Sequence, residues 1–138
     1  MKSLQIMTQD VLLIRLTLAS IWLGTALVVL CFYPQADSLQ LLAQVGLQGS
    51  IAVVLLHLST GFDLLLGILT LLWPHKTLWL VQALLILGYT VIISIFLPEY
   101  WRHPFGPVLK NLPILLLLWL LYRYPSPTQS TQAPPDHE

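Results

Sequence analysis

The chain has 138 residues, of which 57% are hydrophobic and only 9% are charged. Soluble domains carry about 25% charged residues. A water-soluble globule of this size is excluded, because a small domain leaves much of its surface exposed. The six basic and six acidic residues cancel, and with no basic patch a nucleic-acid partner is excluded as well. The expected surroundings are a lipid bilayer.

Four apolar stretches are long enough to predict membrane-spanning helices, because about 20 residues cross a bilayer core. The sequence therefore predicts an all-α fold, a four-helix transmembrane bundle within residues 10–124. The expected spans are about 10–33, 50–73, 77–97 and 107–124.

The remaining segments are short. Residues 1–9 form a polar lead, and Asp10 is expected to cap the first helix, which Pro34 ends. The first apolar stretch exceeds the 7–15 residues of a signal-peptide core, so it is interpreted as a retained span. Residues 34–49 are too polar to span. They predict either one or two helical turns at the membrane interface or a long start to the second span. Residues 125–138 lack large apolar side chains and are expected to be disordered.

Two polar residues near the middle of the second span, His57 and Asp63, need an explanation. A carboxylate inside the bilayer costs roughly 3 kcal/mol, so this helix must turn its polar side inward. Asp63 must be paired, protonated or solvated. His57 is either a packing residue or a ligand. Ser59 and Thr60 beside them are expected to donate to carbonyls of their own helix.

The depth of each charge suggests partners. At about 1.5 Å rise per residue, Arg15 and Asp63 lie close enough in depth to form an ion pair. Lys110 lies near the level of His57 and Glu99 on the opposite side. The alternative for both cations is that the long side chain extends to the nearby membrane surface.

The start of the fourth span is expected to contain a polar site. A proline inside a helix removes one hydrogen bond and kinks the chain, so Pro113 is expected to free the carbonyl of Leu109. Lys110 and Asn111 lie beside that carbonyl. Together with the polar side of the second span, residues 110–113 are the predicted binding place.

Small residues and loop charges predict packing and orientation. Ser20 and Gly24 have the spacing that allows close helix approach. Lys2, Lys76 and Arg123 fall on the side of both termini, whereas Arg102 and Lys110 fall on the other side. The excess of basic residues predicts that both termini are cytoplasmic.

Three stretches resemble the DoxX-like family of small four-span membrane proteins. They are Pro104-Phe-Gly-Pro-Val-Leu-Lys-Asn-Leu-Pro-Ile-Leu, Arg15-Leu-x-Leu-Ala-x-x-Trp22-Leu and Gly61-Phe-Asp-Leu-Leu-Leu-Gly67. The resemblance covers about residues 10–123, and relatives often carry Glu at the place of Asp63. Relatives also often have a lysine near the end of the first helix, whereas residues 28–33 contain none.

The broader family is named from a small membrane subunit of a thiosulfate–quinone oxidoreductase. The resemblance thus implies a bacterial cytoplasmic membrane protein, with a reductase as partner and a quinone as nearby cofactor. Most members have no established activity, so the resemblance does not assign a reaction.

Three functions stay open at this point. The chain is a non-catalytic scaffold, an accessory membrane subunit of a redox system, or a proton-coupled carrier that acts as an oligomer with Asp63 as the titrating group. No catalytic or metal-binding constellation is visible in the sequence. The one intramembrane histidine, His57, cannot supply two axial haem ligands within one chain, and the single Cys31 excludes a thiolate metal cage.

Overall fold

The computed structural model describes residues 2–102 and 108–124, with side chains from Thr8 onward, and these residues form an all-helical protein. Five α-helices and one 3₁₀ turn follow one another along the chain. They are α1 (Lys2–Cys31), α2 (Gln35–Gln44), α3 (Gly49–Leu72), α4 (Lys76–Phe96), the 3₁₀ turn (Pro98–Trp101) and α5 (Asn111–Arg123).

Three of these helices are long and apolar enough to cross a membrane. The apolar segments are Thr8–Cys31, Gly49–Leu72 and Lys76–Phe96, and the apolar α5 is shorter. At 13 residues, α5 rises about 20 Å. The predicted fold class, a four-helix transmembrane bundle, is confirmed. The predicted disorder of residues 125–138 lies outside the described residues.

The first helix begins earlier than expected. It starts at Lys2, so Asp10 lies inside α1 and does not cap it. At the other end, the N–H groups of Phe32 and Tyr33 both donate to the carbonyl of Val28, at 2.9 and 2.8 Å. Pro34 follows and occupies the N-cap position of α2. A proline cannot continue the helix that precedes it, which separates α1 from α2.

The short helix α2 ends in a glycine turn. Gly46 has a φ of +86°, a backbone conformation that glycine adopts without steric cost. Its N–H donates to the carbonyl of Ala43 at 3.0 Å, and the N–H of Leu47 donates to that of Leu42 at 2.9 Å. This pair of bonds satisfies the last carbonyls of the helix, as in a Schellman motif.

Helices α1 and α3 form the most extensive helix pair. A Cβ at Gly67 would lie 2.6 Å from Cγ of Leu23. Only glycine fits there, because real side chains do not tolerate such a distance. A Cβ at Gly24 would meet nothing within 4 Å. The close approach expected at Ser20 and Gly24 therefore occurs at Gly67 instead.

The core lies between α1, α3, α4 and α5. Its buried members are Leu18, Trp22, Leu66, Leu78, Trp79, Ile86, Leu118 and Leu121. Many large apolar side chains on the outer faces stay exposed. In water this surface would be unfavourable, whereas lipid tails are as apolar as the side chains themselves.

Candidate functional site

Arg15 contacts the C-terminal end of α3. Its Nε donates to the carbonyl of Thr70 at 3.1 Å, and a terminal guanidinium nitrogen donates to the carbonyl of Leu71 at 2.5 Å. The last four carbonyls of a helix lack helical partners and carry the negative end of the helix dipole. The guanidinium satisfies two of them and neutralises that end.

This contact corrects the expected ion pair between Arg15 and Asp63. Thr70 lies seven residues beyond Asp63 on α3, which is about 10 Å along the helix axis. The guanidinium bonds to carbonyls at the helix end, two turns from the carboxylate. Depth alone suggested the ion pair, but the carbonyls at the end of α3 offer nearer acceptors.

Asp63 is half-buried and keeps one unsatisfied oxygen. Among the described residues, its Oδ1 is the one buried side-chain polar atom without a hydrogen-bond partner. Tyr89 on α4 lies close enough for an electrostatic interaction with the carboxylate. Because unpaired buried oxygens are rare in native proteins, Asp63 stays a candidate functional residue.

A buried chain of hydrogen bonds connects three helices. Gln82 is fully buried. Its Oε1 accepts from Nε1 of Trp22 at 2.9 Å, and its Nε2 donates to Oγ1 of Thr70 at 2.8 Å. The Thr70 hydroxyl in turn donates to the carbonyl of Leu66 at 2.7 Å. These bonds link α1, α4 and α3. The sequence analysis missed this chain, whose signal was a glutamine near the middle of a largely apolar span.

A second set of bonds holds α5 and the 3₁₀ turn against α4. Nδ2 of Asn111 donates to Oγ1 of Thr90 at 2.7 Å. Nε1 of Trp101 donates to Oγ of Ser94 at 3.0 Å, and that hydroxyl donates to the carbonyl of Thr90 at 2.6 Å. Asn111, a predicted binding residue, thus has a partner within the protein.

The expected kink at Pro113 is wrong. Helix α5 begins at Asn111, so Pro113 lies in its first turn, where backbone N–H groups have no helical acceptor in any case. The carbonyl of Leu109 is not free, because it accepts the N–H of Leu112 at 3.2 Å. The preceding part of the motif, residues 103–107, lies outside the described residues.

Lys110 does not take part in the expected pairing either. Its side chain is exposed, and within the described ranges 2–102 and 108–124 it makes neither a hydrogen bond to His57 nor an ion pair with Glu99. The alternative expectation, a side chain directed to the surface, is in agreement with this exposure.

His57 lies at the wall of a small cavity. Its Nδ1 is 2.8 Å from the carbonyl of Val53. Thr60 and Ser59 donate to the carbonyl of Leu56, at 2.7 and 2.9 Å, as the sequence analysis expected. The cavity has a volume of about 230 Å³, and its lining consists of Val29, Leu30, Tyr33, Gln35, Leu56, His57 and Thr60.

A larger cavity of about 610 Å³ adjoins it and has an almost entirely apolar lining. It lies between the C-terminal parts of α1 and α4, with α2 and Leu56 as further walls. The two cavities share Val29, Tyr33 and Leu56. Sequence reasoning could not find this space, because a gap depends on how helices are placed and leaves no residue pattern.

The six predicted site residues do not form one cluster. Arg15, Asn111 and Pro113 have structural roles, and Lys110 is exposed. Asp63 and His57 stay as candidate functional residues. The structure adds Gln82 and the two cavities, which the sequence did not predict. Within the part of the chain that the structure describes, no three His, Cys, Asp or Glu residues are grouped so that they could hold a metal ion.

Comparison with known proteins places the chain in a family. The family model of the DoxX-like family matches residues 19–119, which include the motif around Asp63 and the start of α5. No curated protein and no solved structure matches the chain. Since the matched region is well over half of the sequence, the chain is an integral membrane protein that belongs to the DoxX-like family.

Proposed function

We propose that the protein is a non-catalytic scaffold that serves as an accessory membrane subunit of a redox system. It lies in the bacterial cytoplasmic membrane with both termini in the cytoplasm. The observation that carries this proposal is the Trp22–Gln82–Thr70 chain of hydrogen bonds. Polar side chains inside a membrane often line a path for ions or substrates, but these are used to join three helices.

The contact of Arg15 with the end of α3 supports the same proposal. An intramembrane cation usually marks function, yet here the guanidinium satisfies backbone carbonyls. The resemblance to a family named from a redox subunit supplies the redox context. The partner is a membrane-bound or membrane-associated reductase, whereas a homo-oligomer belongs to the carrier alternative.

The orientation is supported by aromatic and basic residues at one end of the bundle. Nζ of Lys76 lies 5.7 Å from the centre of the Tyr122 ring, and the guanidinium of Arg123 lies 5.2 Å from that of Trp119. Such residues anchor helices at the membrane–water interface, and the basic side faces the cytoplasm.

The test is a deletion strain of the source bacterium, with quinone-linked reductase complexes resolved on native gels. We expect the deletion to reduce the assembled reductase. The unaltered chain and Asp63→Asn should both restore it, because a scaffold needs no titrating carboxylate. Unchanged reductase complexes in the deletion strain would contradict the proposal.

One observation favours a second candidate, a proton-coupled carrier. The buried Oδ1 of Asp63 has no hydrogen-bond partner among the described residues, as suits a carboxyl that binds and releases a proton. If the protein is a carrier, Asp63→Asn should abolish proton flux into proteoliposomes and fail to complement the deletion while the protein stays abundant. Asp63→Glu is the matched control, because it keeps a titratable group.

A further inference from the structure

The geometry of the two adjoining cavities points to a binding site, and we propose that it takes a single-chain amphiphile with a hydroxyl-bearing head. The apolar cavity of about 610 Å³ would hold the chain, and the cavity of about 230 Å³ at His57 would hold the head. The proposal is independent of the scaffold function, because it uses none of the residues that join the helices.

The larger cavity suits a hydrocarbon chain. Its volume lies within the roughly 300–1,000 Å³ of small-molecule pockets. Leu41 and Leu42 of α2, Val28 of α1 and Ile92 of α4 line it. Gly24 also lines it, and a Cβ there would meet nothing within 4 Å. Space beside this glycine is therefore open, and its apolar walls favour an apolar occupant over water.

The smaller cavity offers hydrogen-bond acceptors. Because a carbonyl can only accept, Nδ1 of His57 must be the donor in its bond to Val53. In the neutral ring, Nε2 is then an acceptor. The Thr60 hydroxyl already donates to the carbonyl of Leu56, so its remaining capacity is to accept. A head group that pairs with both must supply donors, and hydroxyl groups do.

The position of α2 fits entry from the bilayer. This helix follows α1 directly at Pro34 and ends in the glycine turn at Gly46. Its side chains Leu41 and Leu42, with Val45 just after its end, line the larger cavity, whereas Gln35 at its start lines the smaller one. The same short helix thus lines both the proposed chain site and the proposed head site.

Native mass spectrometry of the full chain in detergent tests the proposal with three probes. The probes are 1-palmitoylglycerol, methyl palmitate, which has the chain but no donor, and glycerol, which has no chain. We expect one 1-palmitoylglycerol per chain, about tenfold weaker binding of methyl palmitate, as loss of one hydrogen bond predicts, and no retained glycerol. Equal binding of the two long-chain probes would overturn the proposed head site.

Two variants separate the parts of the site. Gly24→Phe should fill the larger cavity and reduce 1-palmitoylglycerol binding at least about tenfold, whereas Gly88→Phe, at a glycine with equally open surroundings on α4, should not change it. His57→Leu should remove the preference for 1-palmitoylglycerol over methyl palmitate. If Gly24→Phe does not fold, Val28→Trp fills the same cavity. Parental binding by the folded cavity-filling variant would overturn the proposal.

Discussion

The two ends of the bundle use their interior space differently. At the end where α3 meets α4, Gly67 brings α1 and α3 into close contact, and Gln82 joins three helices through buried hydrogen bonds. At the opposite end, two adjoining cavities lie beside the C-terminal part of α1 and the first half of α3, and α2 lines both of them. We call the end around Gly67 and Gln82 the closed end. The comparison teaches that the closed end holds the helices together, whereas the opposite end has room for a ligand.

Asp63 lies between these two regions, near the middle of α3. One of its oxygens is unsatisfied within the described residues, unlike the polar atoms of the closed end. The difference suggests that the closed end was optimised for stability. The region from Asp63 to the cavities keeps polar groups available for another role.

The largest expected effect is at the helix contact of the closed end. Gly67→Leu would place a side chain where even a Cβ lies 2.6 Å from Leu23 Cγ and 3.2 Å from its backbone nitrogen. We expect the free energy of unfolding in mixed micelles to fall by about 3 kcal/mol. Gly61→Leu is the matched control on the same helix, because a Cβ there meets nothing within 4 Å. Equal losses in both variants would refute the close contact.

The next effect concerns the buried glutamine. Gln82→Leu keeps the apolar bulk but removes the acceptor of Trp22 Nε1 and the donor to Thr70. We expect the free energy of unfolding to fall by about 1–2 kcal/mol, as measured by SDS titration. A Gln82→Leu variant as stable as the parent would contradict the structural role of the chain.

A smaller effect is expected at the end of α3. Arg15→Met keeps much of the apolar stem but removes the bonds to the carbonyls of Thr70 and Leu71. The loss should be about 1 kcal/mol, the usual value for a cation at a helix C-terminus. Arg15→Lys should recover part of it, since the charge stays but the planar fork is lost. A destabilisation by Arg15→Met that vanishes in an Asp63→Asn background would restore the ion pair instead.

The smallest effect is expected at Pro113. Because this proline lies in the first turn of α5, Pro113→Ala should change the free energy of unfolding by less than about 1 kcal/mol. Leu116→Pro, one turn later in the same helix, should cost about 3 kcal/mol. The same SDS titration measures both variants. A large gain in stability from Pro113→Ala would instead support a kinked helix.

Much of the fold was predictable, because it depends on apolar length. Spans of about 20 residues, a polar segment around α2 and the bonds of Ser59 and Thr60 to their own helix all follow from local rules. The start of α5 could not be predicted from such local rules, because it depends on where the preceding loop ends. The erroneous start at residue 107 placed Pro113 too deep in the helix and led to the expected kink.

The site was less predictable, for a geometric reason. Depth along a helix can be counted from the sequence, but rotation about its axis and its register against a neighbour cannot. Arg15 and Asp63 therefore have similar expected depths in the membrane, but their side chains do not contact each other. Gln82, Trp22 and Thr70 are ordinary residues on three separate spans, and only the assembled bundle makes them neighbours.

The most direct test of the account is a double-mutant cycle between Trp22 and Gln82, with Trp22→Phe, Gln82→Leu and the double variant. The free energies of unfolding are measured by SDS titration in mixed micelles. The account predicts a favourable coupling of about 0.6 kcal/mol, the average for hydrogen bonds between membrane helices, whose maximum is about 1.7 kcal/mol. A coupling of zero, with both single variants destabilised by their separate amounts, would contradict the claim that buried hydrogen bonds join the helices at the closed end.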